Sequence, residues 1–463
     1  MVYKRAVPRF LSSRPDSRLI PLPWELPLTE WPTEHLVALP RGISRHVVRF
    51  IKVGNSVYAA KEVIESLAIH EYRMLADLHR TDTPAVEPLA VVTGRAGLDG
   101  EPLDPVLITR HLEFSLPYRS LFTQGVRPDT VGRLLDAMVV LIARLHLVGF
   151  LWGDVSLSNI LFRRDAGEFA AYLVDAETAE MHEALTHGQR EHDLSIATTN
   201  LYGEFSDLEA GQLLDASLDP QKLVESILTR YRELWAELTG VEEFSDQEVF
   251  RIENRVRRLN ALGFDVAELS IETSPDGSRI KIQPKVVDAG HHTRRLLRLT
   301  GLDVEEHQAR RLLNDLDTFR ARTNQGHVDE AVVAHQWLTE CFQPVVTAVP
   351  PELRGKREGA QIYHEVLDYR WYASQRENRE VPLVEATYGY INDVLRRLPD
   401  EAMTDTRAID DRQLANPYDP SQGFVDDEGP MPVDPWEVDA DDEPDVPAGF
   451  LDIEALRAAR EAR

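Results

Sequence analysis

Residues 141–180 read LIARLHLVGFLWGDVSLSNILFRRDAGEFAAYLVDAETAE, and the order of residues in this stretch decides the fold. It begins inside a run from Asp129 to Val148 in which Val131, Leu134, Leu135, Met138, Leu141, Ile142 and Leu145 recur at intervals of three and four. That period predicts a long helix with one buried face. Gly149 follows as its stop, because glycine adopts the left-handed conformation of a helix C-terminus without a Cβ penalty. Gly153 and Asp154 then fall in a loop, and Asn159 comes five residues after Asp154. Asn159–Phe162 and Ala171–Val174 read as two short strands, with the charged segment Arg163–Glu168 as the turn between them and Asp175 at the end of the second. Pairing of these strands brings positions 159 and 175 together in space.

Taken singly, each residue is ordinary. A lone Asp or Asn in a loop is usually a cap or a turn residue, and His146 alone would be a core histidine. Their shared order, spacing and setting suit phosphoryl transfer from ATP. That chemistry needs one carboxylate to orient an acceptor hydroxyl and accept its proton, which suits Asp154. It also needs an amide carbonyl and a second carboxylate to hold Mg²⁺ against the phosphates, which suits Asn159 and Asp175.

On these residues the sequence resembles the protein kinase-like superfamily, whose catalytic loop has the form Asp-x-x-x-x-Asn and whose metal aspartate ends a following strand. His146 and Gly149 match the LH-x-x-G that precedes this loop in the small-molecule and lipopolysaccharide (Kdo) kinase branches. Upstream, Ala59-Ala60-Lys61 ends a strand-like run and matches the Val-Ala-x-Lys form, and Glu71, in HEYRML, matches the glutamate of the next helix. The resemblance implies that Lys61 holds the nucleotide phosphates and that Glu71 positions Lys61. Gly42, in PRGISR, stands alone where the family offers two or three glycines; it and Ser44 are the candidates to cover phosphates. Trp152 replaces the His of His-Gly-Asp loops, and Asp175-Ala176-Glu177 replaces Asp-Phe-Gly, with Glu177 either a further metal oxygen or an exposed side chain. Asp193 is either a buried aspartate that hydrogen-bonds the loop backbone or an N-cap. No Ala-Pro-Glu signature follows, against a regulated eukaryote-type protein kinase. LWGDVSLSNILFRRDAG and YLVDAETAE, with HEVLDYRWYASQREN at 364–378, look like a bacterial, largely actinobacterial family that joins a lipopolysaccharide-kinase-like region to domain of unknown function 4032.

Around this centre the chain of 463 residues divides unevenly. The expected fold is α+β: an irregular leader (1–34), a β-rich kinase-like N-lobe (35–110), a helical C-lobe with the catalytic loop (111–218), a mostly helical α+β domain (219–400) and a disordered acidic tail (401–463). Strands are expected at His35–Leu39, Val47–Val53, Val57–Val63, Leu89–Thr93 and Val106–Thr109, with a helix at Glu65–Leu78. Later helices are expected at Pro220–Leu238, Asp246–Leu262, Thr293–Thr300, Val304–Thr318, Val328–Cys341, Gly359–Glu377 and Leu383–Arg397, with a hairpin in Val266–Pro284. The net charge is −27, and residues 401–463 hold 18 Asp/Glu against five Arg, a net of −13. Such Pro-rich acidic sequence cannot bury enough surface to offset its ordering entropy, although Tyr418, Phe424 and Trp436 could dock protein partners. Acidity argues against nucleic acid as a partner. No run is long and apolar enough to span a membrane, the N-terminus shows no signal core, and the single cysteine, Cys341, fits a reducing cytoplasm. In the second domain, the adjacent His291 and His292 make a poor metal pair. Tyr363, Leu367, Tyr369, Trp371 and Tyr372 read as core. The arginines at 255, 257, 258, 294, 295, 298, 310 and 311 read as solvated helix faces, with an anionic ligand or the acidic tail as the alternative.

The expected function is an ATP- and Mg²⁺-dependent phosphotransferase acting on an unidentified hydroxyl acceptor, with Asp154 as base, Lys61 and Glu71 at the phosphates, and Asn159 and Asp175 at the metal. The alternative is a pseudokinase, a nucleotide-binding scaffold or regulatory module.

Overall fold

The computed structural model describes residues 8–39, 45–122, 126–240, 242–244, 259, 264–273 and 280–401. Gly42, Ser44, the turn at 274–277, Arg255, Arg257, Arg258, nearly all of the helix expected at 246–262, and the tail beyond Glu401 lie outside the described residues.

Alternating apolar strands come first and build one antiparallel sheet. Its members are β1 (Arg9–Leu11), β2 (Leu36–Val37), β3 (Val47–Val53), β4 (Ser56–Glu62), β5 (Pro88–Thr93) and β6 (Val106–Arg110), in the order β1-β5-β6-β4-β3-β2. The two-residue turn Gly54-Asn55 joins β3 to β4, with Gly54 at φ +66°. Lys61 therefore lies on an interior strand, opposite Val48 on one side and Leu107 on the other. Helix α1 (Glu65–Arg80) packs on β5 and β6 and buries Ala68, Glu71, Tyr72, Leu75 and Leu78, one stripe at helical spacing. The leader does more than pack locally. It supplies β1 as an edge strand and sets Trp24 and Trp31 edge-to-face at 5.1 Å beneath Ile51 and Tyr58.

The second lobe is built on α3 (Pro128–Leu147), whose seven apolar positions predicted above are all buried. Before it come β7 (Ser115–Pro117) and α2 (Tyr118–Phe122), and after it β8 (Phe150–Leu151). Gly149 ends the helix at φ +82°, and a Cβ there would lie 2.1 Å from the His182 carbonyl oxygen, so no other residue fits. The hairpin of β9 (Ile160–Asp165) and β10 (Glu168–Leu173) turns on Ala166-Gly167 alone, both with positive φ, as a tight hairpin turn requires. The turn expected over Arg163–Glu168 is thus shorter. Arg163, Arg164 and Asp165 stay in the ladder because the following domain receives their side chains. Strand β11 (Glu180–Met181) pairs with β8, and α4 (His187–Ala210) and α5 (Pro220–Thr239) complete the lobe. A β-rich lobe on a helical lobe with a cleft between them is the kinase-like architecture expected from the sequence.

The remaining chain forms β12 (Glu242–Phe244), β13 (Phe264–Thr273) and β14 (Ile280–Ala289), ordered β12-β14-β13. Helices α6 (His291–Thr300), α7 (Glu306–Arg322), α8 (Glu330–Trp337), α9 (Gln343–Ala348), α10 (Gly359–Glu377) and α11 (Leu383–Asp393) follow. The helix expected over Val328–Cys341 breaks into a π turn at Leu338–Phe342, just before Pro344, which has no N–H to donate. The core here gathers Leu312, Leu316, Trp337, Tyr363 and Tyr390. Of the aromatics read as core, Tyr363 is buried, but Trp371 is 43% and Tyr372 51% exposed. Helical spacing showed that they share a helix, not which face meets the core. His292 is bonded to Glu306, and Arg295 and Arg311 pair with Glu330 and Asp368. Among the described residues no helix is long and apolar enough to cross a membrane.

Charged groups hold the domains together. The Arg163 guanidinium reaches Glu305 and Glu358, each at 2.7 Å, and the Tyr172 hydroxyl donates to Glu305 at 2.8 Å. Asp165 accepts from the backbone N–H groups of His307 and Gln308 at the start of α7. Glu401 accepts from Arg164 at 2.8 Å and Arg357 at 2.9 Å, so the described chain ends tied to β9. Burial pushes the Glu305 carboxyl well above its usual range against the pull of Arg163. Arg163→Met leaves Glu305 without its cation and should cost about 3 kcal/mol, read by urea denaturation. Adding Glu305→Gln should recover part of the loss, because the buried charge is then gone; equal stability of Arg163→Met and wild type would show that these pairs contribute nothing.

Candidate active site

Three carboxylates from two elements converge on one ammonium. Lys61 is carried inward by β4, and its Nζ donates to Glu71 Oε2 on α1 at 2.9 Å. It also donates to Asp175 Oδ2 at 2.7 Å and Glu177 Oε2 at 3.2 Å, both just past β10. Oxygens of Glu71, Asp175 and Glu177 all lie within 4.8 Å of one another. An all-oxygen set of this kind suits a hard divalent cation, and here the Lys61 ammonium provides the positive charge.

The loop residues meet the same cleft. The Val174 N–H donates to the Asn159 carbonyl at 3.0 Å, which sets Asn159 beside Asp175 as strand pairing predicted. Asn159 Nδ2 donates to Asp154 Oδ2 at 3.1 Å and to its backbone carbonyl at 3.1 Å. With its N–H groups so committed, the Asn159 side-chain oxygen is the atom suited to a cation. Lys61, Glu71, Asp154, Asn159 and Asp175 line one cleft of about 780 Å³.

Buried groups behind the loop fix its shape. Asp193 lies inside α4 and is no cap. Its carboxylate accepts from the backbone N–H of Trp152 at 3.0 Å and of Gly153 at 2.8 Å. His146 Nε2 donates to the same carboxylate at 3.0 Å, because a carboxylate only accepts, and its Nδ1 meets the Tyr231 hydroxyl at 2.6 Å. Gly153 sits at φ +76°, where a Cβ would come 2.9 Å from the Thr178 carbonyl oxygen. Trp152 donates its indole N–H to the Asp175 carbonyl at 3.0 Å and so ties the Gly153-Asp154 loop to the segment that follows β10.

Residues 49–209 match the model of the lipopolysaccharide kinase (Kdo/WaaP) family, and residues 233–395 match the domain of unknown function DUF4032. The chain joins a Kdo/WaaP kinase region to a DUF4032 domain. It is also similar to the solved structure of WaaP in complex with acyl carrier protein, at 18% identity and a TM-score of 0.33, over 55% of this chain and 99% of that one. No curated protein matches it.

The Kdo/WaaP region holds cleft residues that the sequence reading passed over. Asn200 Nδ2 donates to Asp154 Oδ1 at 3.0 Å and to the Val155 carbonyl at 3.2 Å. Glu204 accepts from the backbone N–H groups of Leu157 and Ser158. Asn200, Gly203, Glu204 and Asp207 line the cleft at three- and four-residue spacing on α4. That polar stripe was the available signal, but it runs beside apolar Leu201, Phe205 and Leu208 and dilutes the pattern of either face. Glu177 is neither exposed nor idle; it is bonded to Lys61, Arg45 and His46.

One ammonium cannot neutralise three carboxylates, and burial decides which one keeps a proton. Burial and the negative charge of Asp175 push the Glu71 carboxyl up to about 8. Burial also raises Glu177, but Lys61, His46 and Arg45 outweigh it and hold that carboxyl low. Lys61 is lowered by burial and raised more strongly by Glu71 and Asp175, so it stays charged. Folded Glu71 holds its proton up to about pH 8, while the unfolded residue loses it near 4.5. Between those values the folded state binds more protons, so stability falls as pH rises, by up to about 1.4 kcal/mol per pH unit. Denaturant midpoints from pH 5 to 8 should fall more steeply in the wild type than in Glu71→Gln, which keeps only the contribution of other raised carboxyls such as Glu305; parallel profiles would contradict the assignment.

Proposed function

We propose that the chain is an ATP- and Mg²⁺-dependent phosphotransferase of the lipopolysaccharide-kinase type that acts on a hydroxyl-bearing acceptor. The observation that carries this reading is the meeting of Lys61, Glu71, Asp154, Asn159 and Asp175 in one cleft. Lys61 binds the phosphates, and Glu71 orients Lys61 from behind. Asp175 and the Asn159 oxygen hold the divalent ion, a role supported by the all-oxygen donor set around Asp175. That ion supplies charge neutralisation for the phosphate oxygens.

Asp154 is the base. Its two oxygens are oriented by amides from opposite sides, Asn159 on Oδ2 and Asn200 on Oδ1, while its side chain remains about one-third open to the cleft. Asp154 takes the acceptor hydroxyl proton as that oxygen replaces ADP on the γ-phosphorus. Holding the carboxylate in one plane lowers the reorganisation needed at that moment. Asp193 and Glu204 support the step indirectly by anchoring the backbone on either side of Asp154.

The test is incubation of the full chain with γ-labelled ATP and Mg²⁺, alone and with cell extract. Label transfer or ATP turnover is expected in the wild type, with a loss of about a hundredfold or more in Asp154→Ala and a comparable or larger loss in Asp175→Ala. Clear nucleotide binding without transfer or turnover would leave the scaffold reading in its place.

A further inference from the structure

The cleft contains a pair of nitrogen donors that the preceding reading does not use. Arg45 and His46 immediately precede β3, on the β-rich wall of the cleft. Arg45 Nη2 donates to Glu177 Oε1 at 2.6 Å, and His46 Nε2 lies 2.9 Å from Glu177 Oε2. Lys61 Nζ reaches the same Oε2 at 3.2 Å. The Arg45 guanidinium is also 4.0 Å from Asp154 Oδ2, so it lies between the base and the metal triplet. Three nitrogen donors from one lobe thus converge on a single carboxylate of the other, and that carboxylate is only 7% exposed.

A carboxylate and a phosphate present the same paired oxygens to a guanidinium fork. We infer that Arg45 and His46 are the clamp for the terminal phosphates of the nucleotide, and that Glu177 fills this clamp as an internal anion until the phosphate chain displaces it. The inference rests on the phosphotransferase reading and names two binding residues and a competitor within that site. It accounts for the glycine-poor sequence before β3, since side-chain nitrogen donors do the work that backbone amides of a glycine-rich loop do elsewhere. Exchange is feasible because the Arg45 side chain is 73% exposed, and an ion pair so open to water holds its partner weakly. Arg45, beside both Asp154 and the metal triplet, is placed to neutralise charge on the phosphoryl group in transfer, as an arginine supplied in cis does in other phosphotransferases.

The test titrates the full chain with ATP and with AMP by calorimetry, in EDTA and in Mg²⁺. Arg45→Ala and His46→Ala should each weaken ATP about tenfold or more and leave AMP unchanged, a dependence on phosphate number that a merely structural role would not produce. Arg45→Lys should recover only part of the loss, because a point charge lacks the fork. Glu177→Gln should bind ATP several-fold tighter in EDTA, where a metal-ligand role cannot contribute. Wild-type ATP affinity in both alanine variants, with ATP binding lost in Lys61→Ala, would overturn the clamp while the phosphotransferase reading stood. A wild-type chain that binds no ATP would overturn both.

Discussion

Lys61 stands where the two lobes meet. Its ammonium, almost wholly buried, is bonded to Glu71 on the helix behind its own sheet and to Asp175 and Glu177 on the facing lobe. No apolar contact could take its place there, because three carboxylates brought together without a cation would repel one another by several kcal/mol at the dielectric of a protein interior. The ammonium therefore fixes the approach of β4, α1 and the end of β10 together. The fold accepts the desolvation of Lys61 and a raised Glu71 pKa in return for a cleft whose charged groups are already in position. Replacing such a pair by apolar residues is often neutral for stability, which makes its presence here an argument about the site more than about the fold.

The hairpin β9–β10 performs two tasks with one piece of backbone. At its open end it sets Asn159 against Val174 and delivers Asp175 to Lys61. At its tip, Arg163, Arg164, Asp165 and Ala166 are bound by Glu305, Glu358, Glu401, the start of α7 and Gln361. Antiparallel register links the two ends rigidly, since a slip of one residue would turn every side chain to the other face. The DUF4032 region is thus fastened to the hairpin that leads to Asp175, as well as sharing the core of the helical lobe through Leu238 and Phe264.

The parts of the site legible in the sequence are those held together by short-range order. Asp154 and Asn159 share one loop, Asp175 follows the strand that pairs with the one just before it, and Lys61 and Glu71 sit on consecutive elements. Periodicity placed α1, α3, α5 and α10 to within a few residues. What escaped notice comes from elements brought in over long distances. Asn200 and Glu204 reach the loop from a helix whose inward face is half polar, so hydrophobic spacing did not mark it as buried. Arg45 and His46 looked like ordinary residues ahead of a strand, because nothing local shows that Glu177, more than a hundred positions later, faces them. The exposed Trp371 and Tyr372 err the other way: their helical spacing suggested core, and only the packing of α10 against α11 decides which face is covered.

Charge in the cleft follows the same logic at shorter range. A net charge of −27 suggests a surface that repels any phosphate, yet the total is a poor guide to the walls of one cleft. The helical wall carries Asp154, Asp175, Glu204 and Asp207, whereas the β-rich wall carries Arg45, His46 and Lys61. Two unit charges 4 Å apart interact by about 4 kcal/mol at the effective dielectric of a protein surface, and screening confines such effects to roughly 8 Å at physiological salt. Over that range the two walls of the cleft decide the matter between them. A polyanion is repelled by one wall and attracted by the other, so its charged end can lie only along the β-rich side unless a cation covers Asp175. Opposed walls thus orient a phosphate chain before any hydrogen bond to it forms.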